Sequence, residues 1–165
     1  MLRKVTQSAL SKVTTEPFAV LMLDWMVTRL VSPPSMVTVF TVGRDANIDF
    51  IVLERIYGVS LEIHIARRRE AGKRFEIDEV VKILLGIAEG LAVLHRAAIT
   101  HRDVKPANVM LASEGRLVLM DLGLAVPWSD KEGRDHVSGT PAYMAPETIS
   151  AEVRLGQEHL VDMYA

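Results

Sequence analysis

The chain has 165 residues, 49% of them hydrophobic and 24% charged, and its 19 Lys+Arg against 21 Asp+Glu leave a formal net charge of −2. That length suits one domain with a sizeable core, and the near-neutral balance argues against a dedicated nucleic-acid or anionic-membrane binder. The absence of cysteine excludes a disulfide framework, zinc–thiolate sites and thiol catalysis.

The first residues lead into no apolar run of the signal-peptide kind. The most apolar stretches, 18–23 and 83–94, are too short or interrupted by Glu89 to span a membrane, so a cytoplasmic chain is expected. Residues 18–31 carry Phe18, Leu21, Met22, Trp25, Met26 and Leu30 at helical spacing, and Pro33-Pro34 ends the run. Residues 37–42 alternate as a strand, 43–47 supply a turn and 49–56 read as a second strand, together an antiparallel hairpin. Arg67-Arg68-Arg69 before Glu70 reads as a solvated helix face. Further on, Val80, Leu84, Ile87, Leu91 and Leu94 recur at intervals of 4, 3, 4 and 3, with Asp78 in position to cap the start. Val81, Leu85 and Ala88 widen that face, so the helix is expected to be largely buried. After a polar loop, residues 109–111 and 117–120 flank Ser113-Glu114-Gly115-Arg116 as a second short hairpin. The Gly/Pro/Asp-rich stretch 121–146 reads as one long loop, a length that usually signals function or disorder.

The polar residues around the second hairpin concentrate the chemistry. His101-Arg102-Asp103-Val104-Lys105-Pro106-Ala107-Asn108 packs a carboxylate, two cations and an amide into one loop, and Asp121 follows 13 residues after Asn108. A hairpin folding back would bring Asp103, Asn108 and Asp121 together. Two oxygen ligands beside a further carboxylate suit Mg²⁺, which keeps several waters and takes one or two carboxylates plus substrate phosphates. Lys105 would stabilise negative charge on a transferred phosphoryl group. Any one of these residues alone would more simply cap a turn or sit in solvent; the ordered set does not read that way.

On these motifs the chain resembles a eukaryotic-type serine/threonine protein kinase. Residues 101–108 match H-R-D-x-K-P-x-N, Asp121-Leu122-Gly123 stands where that family has D-F-G, and residues 138–147 match the block ending in A-P-E, here Ala145-Pro146-Glu147. The resemblance implies an α+β, two-lobed kinase-like fold, with residues 1–56 a remnant of the small lobe and hinge and 57–165 the large lobe up to the start of its central helix. It implies ATP and Mg²⁺ as cofactors and a protein substrate. Asp103 would orient the substrate hydroxyl, Asn108 and Asp121 would hold Mg²⁺, Lys105 would touch the γ-phosphate, and Thr140 would support Asp103 and Lys105. Leu53 would be the gatekeeper, Glu54 and Ile56 would offer backbone groups to adenine, and Met110 would form the floor beneath it. Lys4 would be the nucleotide lysine and Asp24, 20 positions on, its acidic partner, with Glu16 a competitor that lies too early. Asp162 would brace the loop around Asp103. No Gly-rich G-x-G-x-x-G loop occurs in the chain, and the helices beyond the central one are likewise expected to be missing. The alternative is a silent, pseudokinase-like fragment acting through protein contacts. Arg102 before Asp103 is the kind of arginine that pairs with an activation-loop phosphate, and Asp130, Glu132 and Asp135 are expected to substitute partly for one.

Overall fold

A computed structural model describes residues 35–46 and 48–165 of the chain. The expected helix over 18–31, Pro33-Pro34, Lys4 and Asp24 lie outside the described residues.

The first described element is an antiparallel hairpin of β1 (Val39–Asp45) and β2 (Ile48–Leu53). Its turn comes later than the composition suggested. Gly43, Arg44 and Asp45 stay in register opposite Phe50, Asp49 and Ile48, and the chain reverses at Ala46, which takes the left-handed φ of 44°. Turn-forming residues here continue the ladder because each still has a partner across the strand. The expected second strand is also shorter, ending at Leu53 rather than at residue 56.

The segment after β2 runs along a three-stranded sheet ordered β3 (Gly58–Ser60), β5 (Val109–Ala112), β6 (Leu117–Leu119). The hairpin of β5 and β6 is the one read from the sequence, with Val109 opposite Leu119. Ser60 ends β3 and caps α1 (Leu61–Glu70), accepting a hydrogen bond from the Ile63 amide at 3.3 Å. Of the arginine run, Arg68 is not simply solvated: it pairs with Glu79 at 2.5 Å and lies over the Phe75 ring. Arg67 and Arg69 are exposed.

The long helix α2 spans Ile77–Arg96, and its N-cap is Glu76 rather than Asp78, which sits in the first turn where a carboxylate favours the helix dipole. Burial differs from the expectation in an instructive way. The C-terminal half is core, with Leu91, Val93 and Leu94 at 4%, 1% and 0% exposure. Nearer the N-terminus Ile83 and Ile87 pack toward the core, while Val80, Val81, Leu84 and Leu85 are exposed. The helix is apolar on two faces, and the β5–β6 hairpin takes the one that carries Gly90. A Cβ there would stand 3.0 Å from the Ser35 carbonyl and 3.2 Å from Leu119, so the close approach depends on a glycine.

Stretch 121–146 is not one loop. It contains β7 (Val126–Pro127), paired antiparallel with β4 (Ile99–Thr100), then the short helix α3 (Lys131–Asp135) and a 3₁₀ turn, Pro141–Tyr143. Two further short helices follow, α4 (Pro146–Ile149) and α5 (Leu160–Tyr164). Mixed helices and small antiparallel sheets make this an α+β fold, as expected. Its core joins α1, the C-terminal half of α2, β5 and β6 through Leu61, Leu91, Leu94, Val109 and Leu119.

Candidate active site

The loop between β4 and β5 is built on three anchors. Asp162, at 3% exposure on α5, accepts the amide of His101 on Oδ2 and the amide of Arg102 on Oδ1, each at 2.8 Å. This is the brace the sequence resemblance implied, and His95 of α2 adds a contact to the same carboxylate, Nε2 to Oδ2 at 2.8 Å. His101 is the second anchor. Fully buried, it has Nε2 3.0 Å from the Met120 carbonyl, while its Nδ1 accepts the Asp103 amide at 3.3 Å, so its proton belongs on Nε2. The third is the Met120 amide, which donates to the Asn108 carbonyl at 2.8 Å and closes the loop on the hairpin.

Within this frame the side chains converge on Asp103, itself only 7% exposed. Lys105 Nζ donates to Asp103 Oδ2 at 2.6 Å and to Thr140 Oγ1 at 2.7 Å, and Thr140 Oγ1 donates onward to Asp103 Oδ1 at 2.6 Å. Asn108 Nδ2 donates to the Asp103 carbonyl at 2.8 Å and to Oδ2 at 2.9 Å. Burial by itself raises the pKa of the Asp103 carboxyl, but the hydrogen bonds from Lys105, Thr140 and Asn108 together outweigh it and the net direction is downward. Asp103 is therefore a carboxylate at neutral pH. Oδ2 has two donors and Oδ1 one, so a lone pair on Oδ1 remains for an incoming hydroxyl.

The hairpin brings Asp121 to the same end. Because Met120 is bonded to Asn108, Asp121 is the next residue beyond that bond. Leu122, at 5% exposure, is drawn into the core and leaves Asp121 at the surface. Asp121 adopts φ 61° and accepts the Gly123 amide on Oδ1 at 3.3 Å. Among the described residues Asn108 Oδ1 and Asp121 Oδ2 take no hydrogen bond. One amide oxygen and one carboxylate oxygen, next to a solvated face, fit Mg²⁺ in its usual partly hydrated form. The described residues hold no cluster of three or more His, Cys, Asp or Glu able to bind a metal, so an all-protein cage of the zinc type is absent among them.

Arg102 is held mainly by backbone, with Asp130 close enough to act on its charge. Its guanidinium donates to the backbone carbonyls of Gly133, in the middle of α3, and of His136, which caps its C-terminus. Burial lowers its pKa, against the favourable fields of Asp162 and Asp130. Asp130 also caps α3, accepting the Gly133 amide at 3.0 Å, and Glu132 is exposed. Gly139 crosses the same loop at φ 125°, where a Cβ would stand 2.7 Å from the Arg102 carbonyl. Arg102, at φ 68°, and Asp121 are held in left-handed backbone on either side of Asp103, the sort of local strain that surrounding structure must enforce.

Leu53, expected as the gatekeeper, ends β2 opposite Val39 and is exposed. The Glu54 amide is occupied by the Thr38 carbonyl at 2.8 Å. Among the described residues the Glu54 carbonyl and the Ile56 backbone take no hydrogen bond. Met110 lies on β5, opposite Ser60 and Val118, half-buried. Residues that the sequence did not mark are His95, which lies in no motif, and Arg116, read as part of a turn.

A family model described as protein kinase domain matches residues 5–165. The chain is 33% identical over 121 residues to a probable serine/threonine-protein kinase of Bifidobacterium longum, covering 72% of this chain and 16% of that protein. It is 34% identical to the serine/threonine-protein kinase PknL of Mycobacterium tuberculosis (strain ATCC 25618 / H37Rv), over 70% of this chain and 28% of that one. To the serine/threonine-protein kinase PkaB of Streptomyces coelicolor it is 31% identical over 96% of this chain and 37% of the other. The chain thus spans a minor part of the length of the curated relatives it matches. No helix among the described residues is long and apolar enough to cross a membrane.

Proposed function

The chain belongs to the protein kinase domain family, and from that premise we propose that it is the catalytic part of a serine/threonine protein kinase. It would transfer the γ-phosphoryl group of ATP to serine or threonine hydroxyls of protein substrates in the cytoplasm, with no role for nucleic acid. The observation that carries this reading is the buried Asp103 carboxylate, held by Lys105, Thr140 and Asn108 at the end of the hairpin that presents Asp121.

Asp103 is the catalytic residue that receives the substrate hydroxyl on Oδ1. The hydroxyl oxygen forms its bond to the γ-phosphorus as the bond to the β-bridging oxygen breaks, the proton passes to Asp103 or solvent, and ADP leaves. A carboxyl whose pKa is lowered serves to orient the hydroxyl and does little deprotonation in advance, which suits a loose transition state. Lys105 is shared between Asp103 and Thr140 and can turn its charge to the γ-phosphate. Asn108 Oδ1 and Asp121 Oδ2 would hold Mg²⁺, which when bound offsets charge on the phosphates. Glu54 and Ile56 offer their free backbone groups to adenine, with Leu53 as gatekeeper and Met110 as floor. Lys4 and Asp24 are the proposed nucleotide lysine and acidic partner. Residues 1–56 form the small-lobe and hinge part and 57–165 the large-lobe part.

A second reading, a silent module that works through protein contacts, draws on the exposed apolar side chains Val80, Val81, Leu84 and Leu85 of α2. Calorimetric titration with ATP, with and without Mg²⁺, separates the two. Mg²⁺-dependent binding by the wild type that Asp121→Ala abolishes supports the catalytic reading. Binding by neither protein supports the silent one.

A further inference from the structure

Glu54 follows β2 at the entry to the hinge, and Arg116 sits at the far end of the β5–β6 hairpin from Asn108 and Asp121. They meet across 62 positions of sequence: Arg116 Nη2 donates to Glu54 Oε1, and Nη1 lies 3.5 Å from Oε2. Glu54 Oε2 also receives the Thr38 amide at 3.4 Å, while the Glu54 amide donates to the Thr38 carbonyl at 2.8 Å. One glutamate is therefore tied to the segment before β1 through its backbone and Oε2, and to the β5–β6 hairpin through its carboxylate. Next along the chain, the Ser113 amide donates to the Tyr57 carbonyl at 2.7 Å, and β3 then pairs with β5. The hinge is laced along β5, and Arg116 is its first fastening.

We propose that Arg116 is a positioning residue for nucleotide binding: its two-pronged grip on Glu54 fixes the hinge backbone whose Glu54 carbonyl and Ile56 groups face the adenine site. Both side chains keep about a quarter of their surface, 24% and 25%, so the pair is not a fully exposed one in which solvent screening removes most of the effect. The forked geometry also matters, because a guanidinium fixes direction as well as distance, which a single ammonium does not. The shifts of the two groups agree with the geometry. The hydrogen bond from Arg116 lowers the pKa of Glu54, and the bond to Glu54 raises that of Arg116. Glu114, 3.2 Å from Arg116 Nε, holds the guanidinium from its other edge.

The inference rests on the reading of residues 53–56 as the nucleotide hinge, so its test has two arms. Arg116→Met keeps the apolar stem and removes the charge, and Arg116→Lys keeps the charge without the fork. In the first arm the Kd for Mg·ATP is measured by calorimetry. Arg116→Met is expected to weaken binding about five-fold, a loss of about 1 kcal/mol, and Arg116→Lys to recover part of it. In the second arm amide hydrogen exchange is followed at Glu54 in the nucleotide-free protein, and faster exchange is expected for Arg116→Met than for wild type, with Arg116→Lys between. Unchanged affinity for Arg116→Met would overturn the proposal. If the wild type binds no Mg·ATP, the nucleotide reading fails and with it the role in binding. The exchange arm still decides whether Arg116 fixes the hinge, and equal exchange in all three proteins overturns that too.

Discussion

Asp103 is held by donors from three directions, and each supplies a test. Thr140→Val keeps the shape of the side chain and removes the hydroxyl that joins Lys105 to Asp103. Leaving these buried partners short of a hydrogen bond should cost about 1–3 kcal/mol of stability, read as a lower urea midpoint. The lowered pKa of Asp103 has a pH signature as well. Its stabilising effect is fully present above the unfolded carboxyl value of about 3.9 and is lost as pH falls through the lower folded value. Wild type should therefore exceed Asp103→Asn in stability near neutral pH, and the gap should narrow toward pH 3; a gap independent of pH would count against the assignment. The residues around Asp103 were legible in the sequence because they lie within one short segment or in recognisable order. His95 was not, since its partner Asp162 is 67 positions away and nothing local marks the pair.

Among the elements, α2 shows what periodicity conveys and what it leaves open. The apolar repeat from Val80 to Leu94 identifies the helix, yet the helix carries apolar side chains on more than one face. Which face is covered depends on where the β5–β6 hairpin lands, and the close approach at Gly90 decides that. Leu94→Ala, at a fully buried site, should cost about 2–5 kcal/mol in chemical denaturation, whereas Leu84→Ala, at 58% exposure, should stay within about 0.5 kcal/mol. The stretch 121–146 was illegible for a different reason. A two-residue strand and a five-residue helix are too short to show any period, and they are stabilised by tertiary partners such as the Arg102 guanidinium. Gly139→Ala tests that packing: with φ 125° and the Arg102 carbonyl in the way, the segment should shift and destabilise the fold by about 1–3 kcal/mol.

For the molecule as a whole, the exposed apolar face of α2 has a consequence in solution. Val80, Val81, Leu84 and Leu85 form a contiguous patch of the sort that drives association. The chain should show concentration-dependent oligomers by light scattering at micromolar concentration, and Leu84→Glu with Leu85→Lys should reduce them. A monomer with a sharp, cooperative melt would contradict this. The motifs around Asp103, Asp121 and Glu147 made the family readable from sequence, while the hinge contacts of Arg116 needed three-dimensional placement. The proposed activity is phosphoryl transfer at Asp103. Incubating the protein with Mg²⁺, ATP labelled at the γ-phosphate and a serine- and threonine-bearing protein acceptor tests it most directly, with the label then assigned to an amino acid. Label on serine or threonine is expected with wild type, and at least about a hundred-fold less with Asp103→Asn. Equal labelling by the two proteins, or none by either, would contradict it.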